Sequence, residues 1–243
     1  MKSLPRAVLF DVYRTLLEVR ETPDNANRRW DDLCRRTFGE PPGRSLDEVS
    51  DACRAIVTDD HARARVAGIA FPEVDWPSVF KRAFAPAGRL DPATLSEFLY
   101  QHANLGRSVR LMPGAAGILR RCREAGIACG IASNAQAYTL RELREALGSD
   151  GLDPALFDSR LVFWSFENGF SKPDPHVFRL LAASLAGLGI AAEETLMIGD
   201  REDNDIRPAM AFGFQTFHFV PPPAGSGWPA VPFEPRSYSQ DVT

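Results

Sequence analysis

The chain of 243 residues has few cysteines and no excess of positive charge. None of the four cysteines forms a C-x-x-C pair, and no Cys/His spacing resembles a zinc site. Cys122 and Cys129 lie in a helical run and the apolar run after it, so we expect both to be buried packing residues. The formal net charge of -4 argues against a nucleic-acid partner, which would require a basic face. An anionic substrate would therefore need a local positive site.

Long apolar runs are also missing. No run approaches the roughly 18 residues that a membrane-spanning helix requires, which predicts no membrane partner. Met1 to Asp11 lacks the long apolar stretch of a secretory signal, so we expect a cytoplasmic protein with reduced cysteines. What the chain does have is a hydrophobic content of 44% and a charged content of 25%, which is typical of a globular protein with a sizeable core.

The texture of the sequence changes twice along the chain. Ala7 to Phe10 is a short apolar run of the kind found in strands that are buried on both faces. From about Thr22 to Leu105, apolar and charged residues instead alternate at helical spacing, with proline and glycine between the helical runs. These runs are 28–38, 46–66, 76–84 and 94–103. The pattern predicts an all-helical insertion after the first strand.

An alternation of strands and helices then resumes. Predicted strands at 127–132, 161–163, 195–198 and 215–220 are separated by predicted helices at 113–126, 138–147, 174–188 and 203–212. This order predicts an α/β fold, a Rossmann-like parallel sheet with helices on both faces. We expect residues 1–16 and 108–220 to form that core, residues 17–107 a helical cap domain, and residues 221–243 a Pro-rich tail that wraps the surface or is disordered.

Polar residues follow the predicted strands, at the sheet edge where open parallel sheets place their sites. Asp11 follows the first strand and Ser133-Asn134 the second. The loop after the third strand reaches Lys172, and the fourth strand runs into an acidic stretch that holds Asp200 and Asp205. Each feature alone is common in caps and turns. Together, in this order, they predict a site that combines carboxylates, a hydroxyl and an ammonium group.

These stretches resemble the haloacid dehalogenase superfamily of hydrolases. The resemblance rests on FDVYRTLL at Phe10, ASNA at Ala132, SKPDPHVF at Ser171 and IGDREDNDI at Ile198, and on AFGF at Ala211. It covers Val8 to Thr15 and Leu111 to about Phe219. In that family the helical insertion is a mobile cap that closes over the site, so the resemblance implies a helical cap domain here.

The resemblance also implies a role for each matched residue. Asp11 would attack the substrate and form a covalent aspartyl intermediate. Ser133, with Asn134, would bind the transferring group, and Lys172 would stabilise charge in the transition state. Asp11, Asp200 and Asp205, with the backbone carbonyl of Tyr13, would hold Mg²⁺.

The resemblance predicts hydrolysis of a small, anionic phosphate, but two positions depart from the pattern of its phosphatases. Tyr13 stands where those enzymes carry the aspartate that protonates the leaving group, and Arg14 stands where they usually have glycine. Because general acid catalysis contributes roughly 10²–10⁴-fold, we expect a substrate with a good leaving group or a proton donor from the insertion, such as Asp60 or His61. Tyr13 and Arg14 are themselves candidates for contact with the substrate.

Two other functions stay open from the sequence. Tyr13 resembles the metal-independent 2-haloacid dehalogenases, whose halide leaves without a proton. However, their halide-binding arginine motif is not found between Thr22 and Phe38, and Asp200 replaces their hydroxyl-rich fourth motif. The other alternative is a ligand-binding protein of this fold that has lost catalysis. A homodimer could use exposed apolar side chains such as Trp30 or Trp76, although packing within the insertion is the simpler expectation for both.

Overall fold

The computed structural model describes residues 4–22 and 24–221. Its core is a five-stranded parallel sheet, which confirms the predicted α/β fold. In chain order the strands of this sheet are β1 (Ala7–Phe10), β4 (Ala128–Ser133), β5 (Phe157–Trp164), β6 (Thr195–Gly199) and β7 (Gln215–His218). Their spatial order is β5-β4-β1-β6-β7, so β1 lies at the centre. The predicted wrapping tail falls, apart from Pro221, outside the described residues.

Alternation along β1 shows why the sheet is covered on both faces. Val8 and Phe10 pack in one hydrophobic cluster with α5 (Ala115–Glu124) and α6 (Tyr138–Ser149). Ala7 and Leu9 point to the other face, where they pack with α8 (Pro175–Gly187) and α9 (Arg207–Ala211). All four side chains of β1 are fully buried. A strand buried on both faces reads as a continuous apolar run, as the sequence does here.

The insertion forms helices α1 (Ala26–Phe38), α2 (Leu46–Val66), α3 (Trp76–Ala83) and α4 (Pro92–Ala103). These helices share a hydrophobic cluster of their own, centred on aromatic rings such as Trp30, Phe80 and Phe84. Trp30 is 1% exposed and its indole nitrogen donates to the carbonyl of Arg44, so it packs inside the insertion as expected and offers no dimer surface. The four cysteines are free and buried, in agreement with the packing role expected for Cys122 and Cys129.

The sequence missed the two strands that bound the insertion. β2 (Leu17–Glu21) and β3 (Arg107–Leu111) pair antiparallel, so chain entering and leaving the insertion runs side by side. Neither strand belongs to the central sheet. Each has only five residues, so the alternation of apolar and polar residues in them is too brief to stand out beside the helical runs. The short helix α7 (Ser165–Asn168), which follows β5, was also missed.

The predicted helix at 203–212 is also wrong in its first half. Glu202–Ile206 forms a π turn, and the α-helix begins only at Arg207. Pro208 at the second position of α9 has no backbone N–H, which suits a helix start. Within the described part of the chain, no helix combines the length and apolarity needed to cross a bilayer.

Candidate active site

Asp11 lies directly after the central strand, at the carboxyl edge of the sheet. Its backbone N–H donates to the carbonyl of Ile198 at 2.8 Å, which continues the pairing of β1 with β6 for one residue. The side chain is 12% exposed, so only a small part of the carboxylate faces the cavity of the site. A rigid strand end therefore holds the carboxylate in place, at the position that the sequence predicted.

Lys172 is buried against this carboxylate. Its Nζ lies 2.8 Å from Asp11 Oδ1 and also donates to Asp205 Oδ1. The side chain amide of Asn134 fixes the lysine backbone from both sides, since Asn134 Nδ2 donates to the Lys172 carbonyl at 2.9 Å and Asn134 Oδ1 accepts from the Lys172 N–H at 2.8 Å. The sequence predicted that Asn134 contacts the substrate. In the structure its side chain amide instead positions the backbone of Lys172.

The two predicted acidic ligands come from the turn after β6. Asp205 Oδ2 accepts from the Arg201 N–H at 3.0 Å, so the carboxylate folds back over the end of the strand. That approach requires glycine at position 199, because a Cβ there would stand 2.3 Å from Asp205 Oδ2. Asp200 directly follows β6, and Asp205 lies in the π turn five residues further along the chain. One oxygen from each of Asp11, Asp200 and Asp205 lies within 4.8 Å of the others.

Burial raises the pKa of Asp11 to about 6, and the negative charges of Asp205 and Asp200 add to this effect against the attraction of Lys172. The pKa of Asp200 is raised for the same two reasons, burial first and then repulsion by Asp205. For Lys172, burial acts to lower the pKa, but Asp11 and Asp205 outweigh it and the pKa is raised. The cluster therefore has more negative charge than its single buried lysine balances.

Three crowded carboxylates, of which Asp11 and Asp200 have raised pKa values, suit a hard divalent cation. Mg²⁺ prefers carboxylate and carbonyl oxygens and keeps several waters, which the open side of the site leaves room for. A bound cation would remove the repulsion that raises the pKa of Asp11 and Asp200. The residues present therefore fit the predicted magnesium site.

Ser133 lies at the same sheet edge. Phe10 pairs with Ile131, so the end of β4 extends alongside the residues that follow β1. Ser133 is fully buried, and within residues 4–22 and 24–221 its hydroxyl has no hydrogen-bond partner. A buried hydroxyl without a partner costs free energy unless a ligand or water satisfies it. This favours the predicted role of Ser133 in binding the transferring group.

Tyr13 turns its side chain away from the carboxylate cluster. Its hydroxyl donates to Glu142 Oε2 at 2.5 Å and lies 2.8 Å from Thr139 Oγ1, both on α6. Arg107 donates to the other oxygen of Glu142 at 2.6 Å and stacks over the Tyr13 ring. Burial and the Glu142 charge raise the pKa of Tyr13 above its ordinary value. The tyrosine is therefore part of a buried network and is poorly placed to protonate a leaving group.

Sequence reasoning missed this network because no motif links its members. Glu142 is 3% exposed, an unusual burial for a carboxylate, but its position on an amphipathic helix gives no hint of a partner 129 residues earlier. The proton donors that were expected from the insertion are not at the site. Asp60 is engaged by Arg82 and Arg63, and neither Asp60 nor His61 lines the cavity around Asp11.

Arg14 adopts the left-handed backbone conformation, with φ 61°, which explains why glycine is usual at this position. Its Nε lies 3.1 Å from Asp200 Oδ2, while its side chain is 70% exposed at the mouth of the site. The site is a cavity of about 520 Å³. Its lining residues are all polar: Asp11, Tyr13, Arg14, Asn134, Lys172, Asp200, Arg201, Asn204 and Asp205. Arg201 and Asn204 are lining residues that the sequence did not single out.

The insertion contacts the core beside this cavity, through the segment between α2 and α3. Glu73 accepts from Gln136 Nε2 at 2.9 Å and from Ser165 Oγ at 2.6 Å. The same segment pairs with residues just before Lys172, since the Ser171 N–H donates to the Phe71 carbonyl at 2.9 Å. The loops that carry Asn134 and Lys172 are therefore both tied to the insertion.

Comparison with known proteins identifies the family to which the chain is similar. A family model for haloacid dehalogenase-like hydrolases matches residues 5–213. The chain is 33% identical to a phosphoserine phosphatase of Thermus thermophilus over 135 residues, 56% of this chain and 50% of that protein. It therefore spans only about half the length of that relative. It is 31% identical to a phosphoglycolate phosphatase of Rhodospirillum rubrum over 86% of this chain and 77% of that protein.

The fold comparison agrees. The structure of a HAD family enzyme from Bacteroides thetaiotaomicron superposes with a TM-score of 0.56 at 15% identity, covering 93% of this chain and 97% of that one. At this identity the likeness shows the shared fold.

Proposed function

The chain belongs to the haloacid dehalogenase-like hydrolase family, and from that premise we propose that it is an Mg²⁺-dependent phosphatase for small phosphates with a good leaving group. One observation carries the proposal: Asp11, Asp200 and Asp205 converge within 4.8 Å beside Lys172. An anionic nucleophile does not approach an anionic phosphate easily next to two more carboxylates. A divalent cation and the lysine would offset that repulsion. In a metal-independent reaction the negative charge of the acidic cluster would stay unbalanced.

In the proposed reaction, Asp11 attacks phosphorus and the bond to the leaving group breaks. Water then cleaves the aspartyl phosphate, which regenerates the carboxylate and releases inorganic phosphate and a proton. Lys172 stabilises the charge of the transferring group, and the Ser133 hydroxyl, which has no protein partner in the described chain, donates to a phosphate oxygen. Mg²⁺, held by Asp11, Asp200, Asp205 and the Tyr13 carbonyl, would neutralise phosphate charge and orient it for in-line attack.

The relatives support phosphate hydrolysis as the reaction. One of them, matched over 77% of its own length, is a phosphoglycolate phosphatase, whose named substrate is a small anion. Because phosphoglycolate is an alkyl phosphate, the good leaving group is inferred from Tyr13 and not from the relatives. We also propose that the helical insertion, predicted at residues 17–107, serves as the cap, because Glu73 and Phe71 tie it to the loops that hold Asn134 and Lys172. With a cation bound among the carboxylates, Arg14, Lys172 and Arg201 in the cavity lining would favour an anionic substrate.

Hydrolysis of p-nitrophenyl phosphate and acetyl phosphate tests the proposal. We expect turnover that requires Mg²⁺, that EDTA abolishes and that Asp11→Asn reduces at least about 10³-fold, because the nucleophile is lost. Asp32→Asn, which removes an exposed carboxylate from α1, is the matched control and should keep wild-type activity. Absence of metal-dependent turnover on both phosphates would contradict the proposal.

Dehalogenation is the second candidate, because Tyr13 offers no proton and a halide leaves without one. It predicts chloride release from 2-chloropropionate in the presence of EDTA. Release that survives EDTA and is lost in Asp11→Asn would favour this reaction over phosphate hydrolysis. The acidic cluster speaks against it, since its raised carboxylate pKa values show a charge imbalance that a cation would relieve.

A further inference from the structure

Arg14 is the one site residue whose backbone conformation is itself unfavourable. A side chain at φ 61° is uncommon outside glycine, asparagine and aspartate, and such outliers cluster where the surrounding structure requires them. Arg14 lines the same cavity as Asp11, and its side chain is largely exposed where that of Asp11 is buried. Among the described residues Arg14 has one ion-pair partner, Asp200, through Nε.

The geometry of phosphoryl transfer indicates which part of the substrate Arg14 would contact. The attacking and leaving oxygens stand on opposite sides of phosphorus. Asp11 attacks from the buried side, with 12% of its side chain exposed, so the leaving oxygen points toward the open side. Arg14, 70% exposed, stands on that side. Its planar fork has two terminal nitrogens without a partner in the described chain, and these can donate to a departing oxyanion.

The usual alternative, protonation of the leaving group, is not available from position 13. The Tyr13 hydroxyl is engaged by Glu142 and Thr139. We propose that Arg14 replaces the missing acid with electrostatic stabilisation: the Asp11–phosphorus bond forms, the bond from phosphorus to the leaving oxygen breaks, and that oxygen leaves with its electron pair as an anion beside the guanidinium. This inference rests on the proposed function and narrows its substrates.

The substrate class follows from the absence of a proton in that step. An anion that forms without protonation must be stable in its own right. Carboxylates from acyl phosphates, phenolates, enolates and phosphates meet this condition, and ordinary alkoxides do not. The site is therefore selective for acyl, aryl or enol phosphates and for phosphoanhydrides over alkyl phosphates.

A series of substituted phenyl phosphates, from phenyl to 2,4-dinitrophenyl phosphate, tests the role of Arg14. The measured quantity is the slope of log kcat/KM against the pKa of the leaving phenol. We expect Arg14→Gly, which also relieves the backbone strain, to lose about 10- to 100-fold on phenyl phosphate and less than about threefold on the dinitrophenyl ester. The slope then becomes steeper. Arg14→Lys should fall between the two, because it keeps the charge and loses the fork.

Two further measurements separate this role from a structural one. Added guanidinium should restore part of the phenyl phosphate activity of Arg14→Gly. Thermal unfolding should show that this variant is at least as stable as the wild type, because glycine adopts φ 61° without strain. Arg160→Ala, which removes an exposed arginine paired with Asp158 on β5, is the control and should keep the wild-type slope.

The outcomes are distinguishable from failure of the proposed function. If the wild type hydrolyses none of the phenyl phosphates with Mg²⁺, the proposed function fails. If the wild type is active but Arg14→Gly keeps its slope, or loses the same factor on every ester, Arg14 does not act on the leaving group and the inference is overturned.

Discussion

Replacement of Asp11 by asparagine should make the metal-free protein more stable at neutral pH, although it removes the proposed nucleophile. In the folded protein the pKa of Asp11 is raised from 3.8 to about 6, chiefly by burial. Between these two values the folded state binds more protons than the unfolded state, so the free energy of unfolding decreases as the pH rises through this window. Above pH 6 the full penalty is present. A shift of this size corresponds to about 3 kcal/mol at most.

Asparagine avoids this penalty because it carries no charge. Its side chain oxygen can still accept from Lys172 Nζ, and the lysine keeps Asp205 as a partner, so no buried cation is left unpaired. We therefore expect Asp11→Asn to raise the free energy of unfolding by about 1–3 kcal/mol at pH 7.5 in EDTA, and the gain to shrink toward zero near pH 4. Chemical denaturation at the two pH values measures the difference.

Magnesium should reverse the comparison. A cation that binds only the folded wild type stabilises it by about 2.7 kcal/mol at one hundred times the dissociation constant, whereas the variant lacks one ligand and should gain less. Asp32→Asn, an exposed carboxylate on α1, should change the stability by less than about 0.5 kcal/mol at either pH. An Asp11→Asn variant that is less stable than the wild type at pH 7.5 in EDTA would refute the electrostatic reasoning.

Two further substitutions test how the site is assembled. Gly199→Ala places a Cβ 2.3 Å from Asp205 Oδ2, so the turn must shift. We expect the free energy of unfolding to fall by about 1–3 kcal/mol in chemical denaturation and Mg²⁺ to bind more weakly in calorimetry. An unchanged Mg²⁺ affinity would contradict this expectation. Glu73→Ala removes the bonds to Gln136 and Ser165 that tie the insertion to the core; we expect KM to rise by about tenfold with little change in the free energy of unfolding. An unaltered KM would show that this contact does not hold the insertion over the site.

The sequence sufficed for the sheet and for the residues at its edge. Three apolar runs end in Asp11, Ser133 and Asp200. These residues lie at one edge once the strands are parallel, because chain direction alone brings the carboxyl ends of the strands together. The structure has all three at that edge. Lys172 required more, since it lies in a loop and depends on Asn134 to bring its backbone into place.

What the sequence did not reveal depends on contacts between distant residues. β2 and β3 have only five residues each, so the alternation of apolar and polar residues in them is brief. Each becomes a strand by pairing with the other, which is distant in sequence. The π turn at Glu202–Ile206 is an exception, because it is accompanied by a local hydrogen bond from the Arg201 N–H to Asp205 Oδ2 that no helical periodicity encodes. The partner of Tyr13, Glu142, belongs to a helix whose spacing predicts only that one face is buried.

Tyr13 belongs both to the site that the sequence predicted and to a network of distant residues that it did not reveal. Its backbone lies at the cavity, and its side chain enters the buried network with Glu142 and Arg107. An aspartate at this position would restore an acid but would take the hydroxyl donor from Glu142, whose carboxylate is 3% exposed and would keep only Arg107 and Asn104 as partners. Loss of a partner by a buried charge is costly. Tyr13 therefore stabilises the buried network at the position where the proposed reaction would otherwise have its proton donor, and this is why the proposed substrates have leaving groups that need no proton.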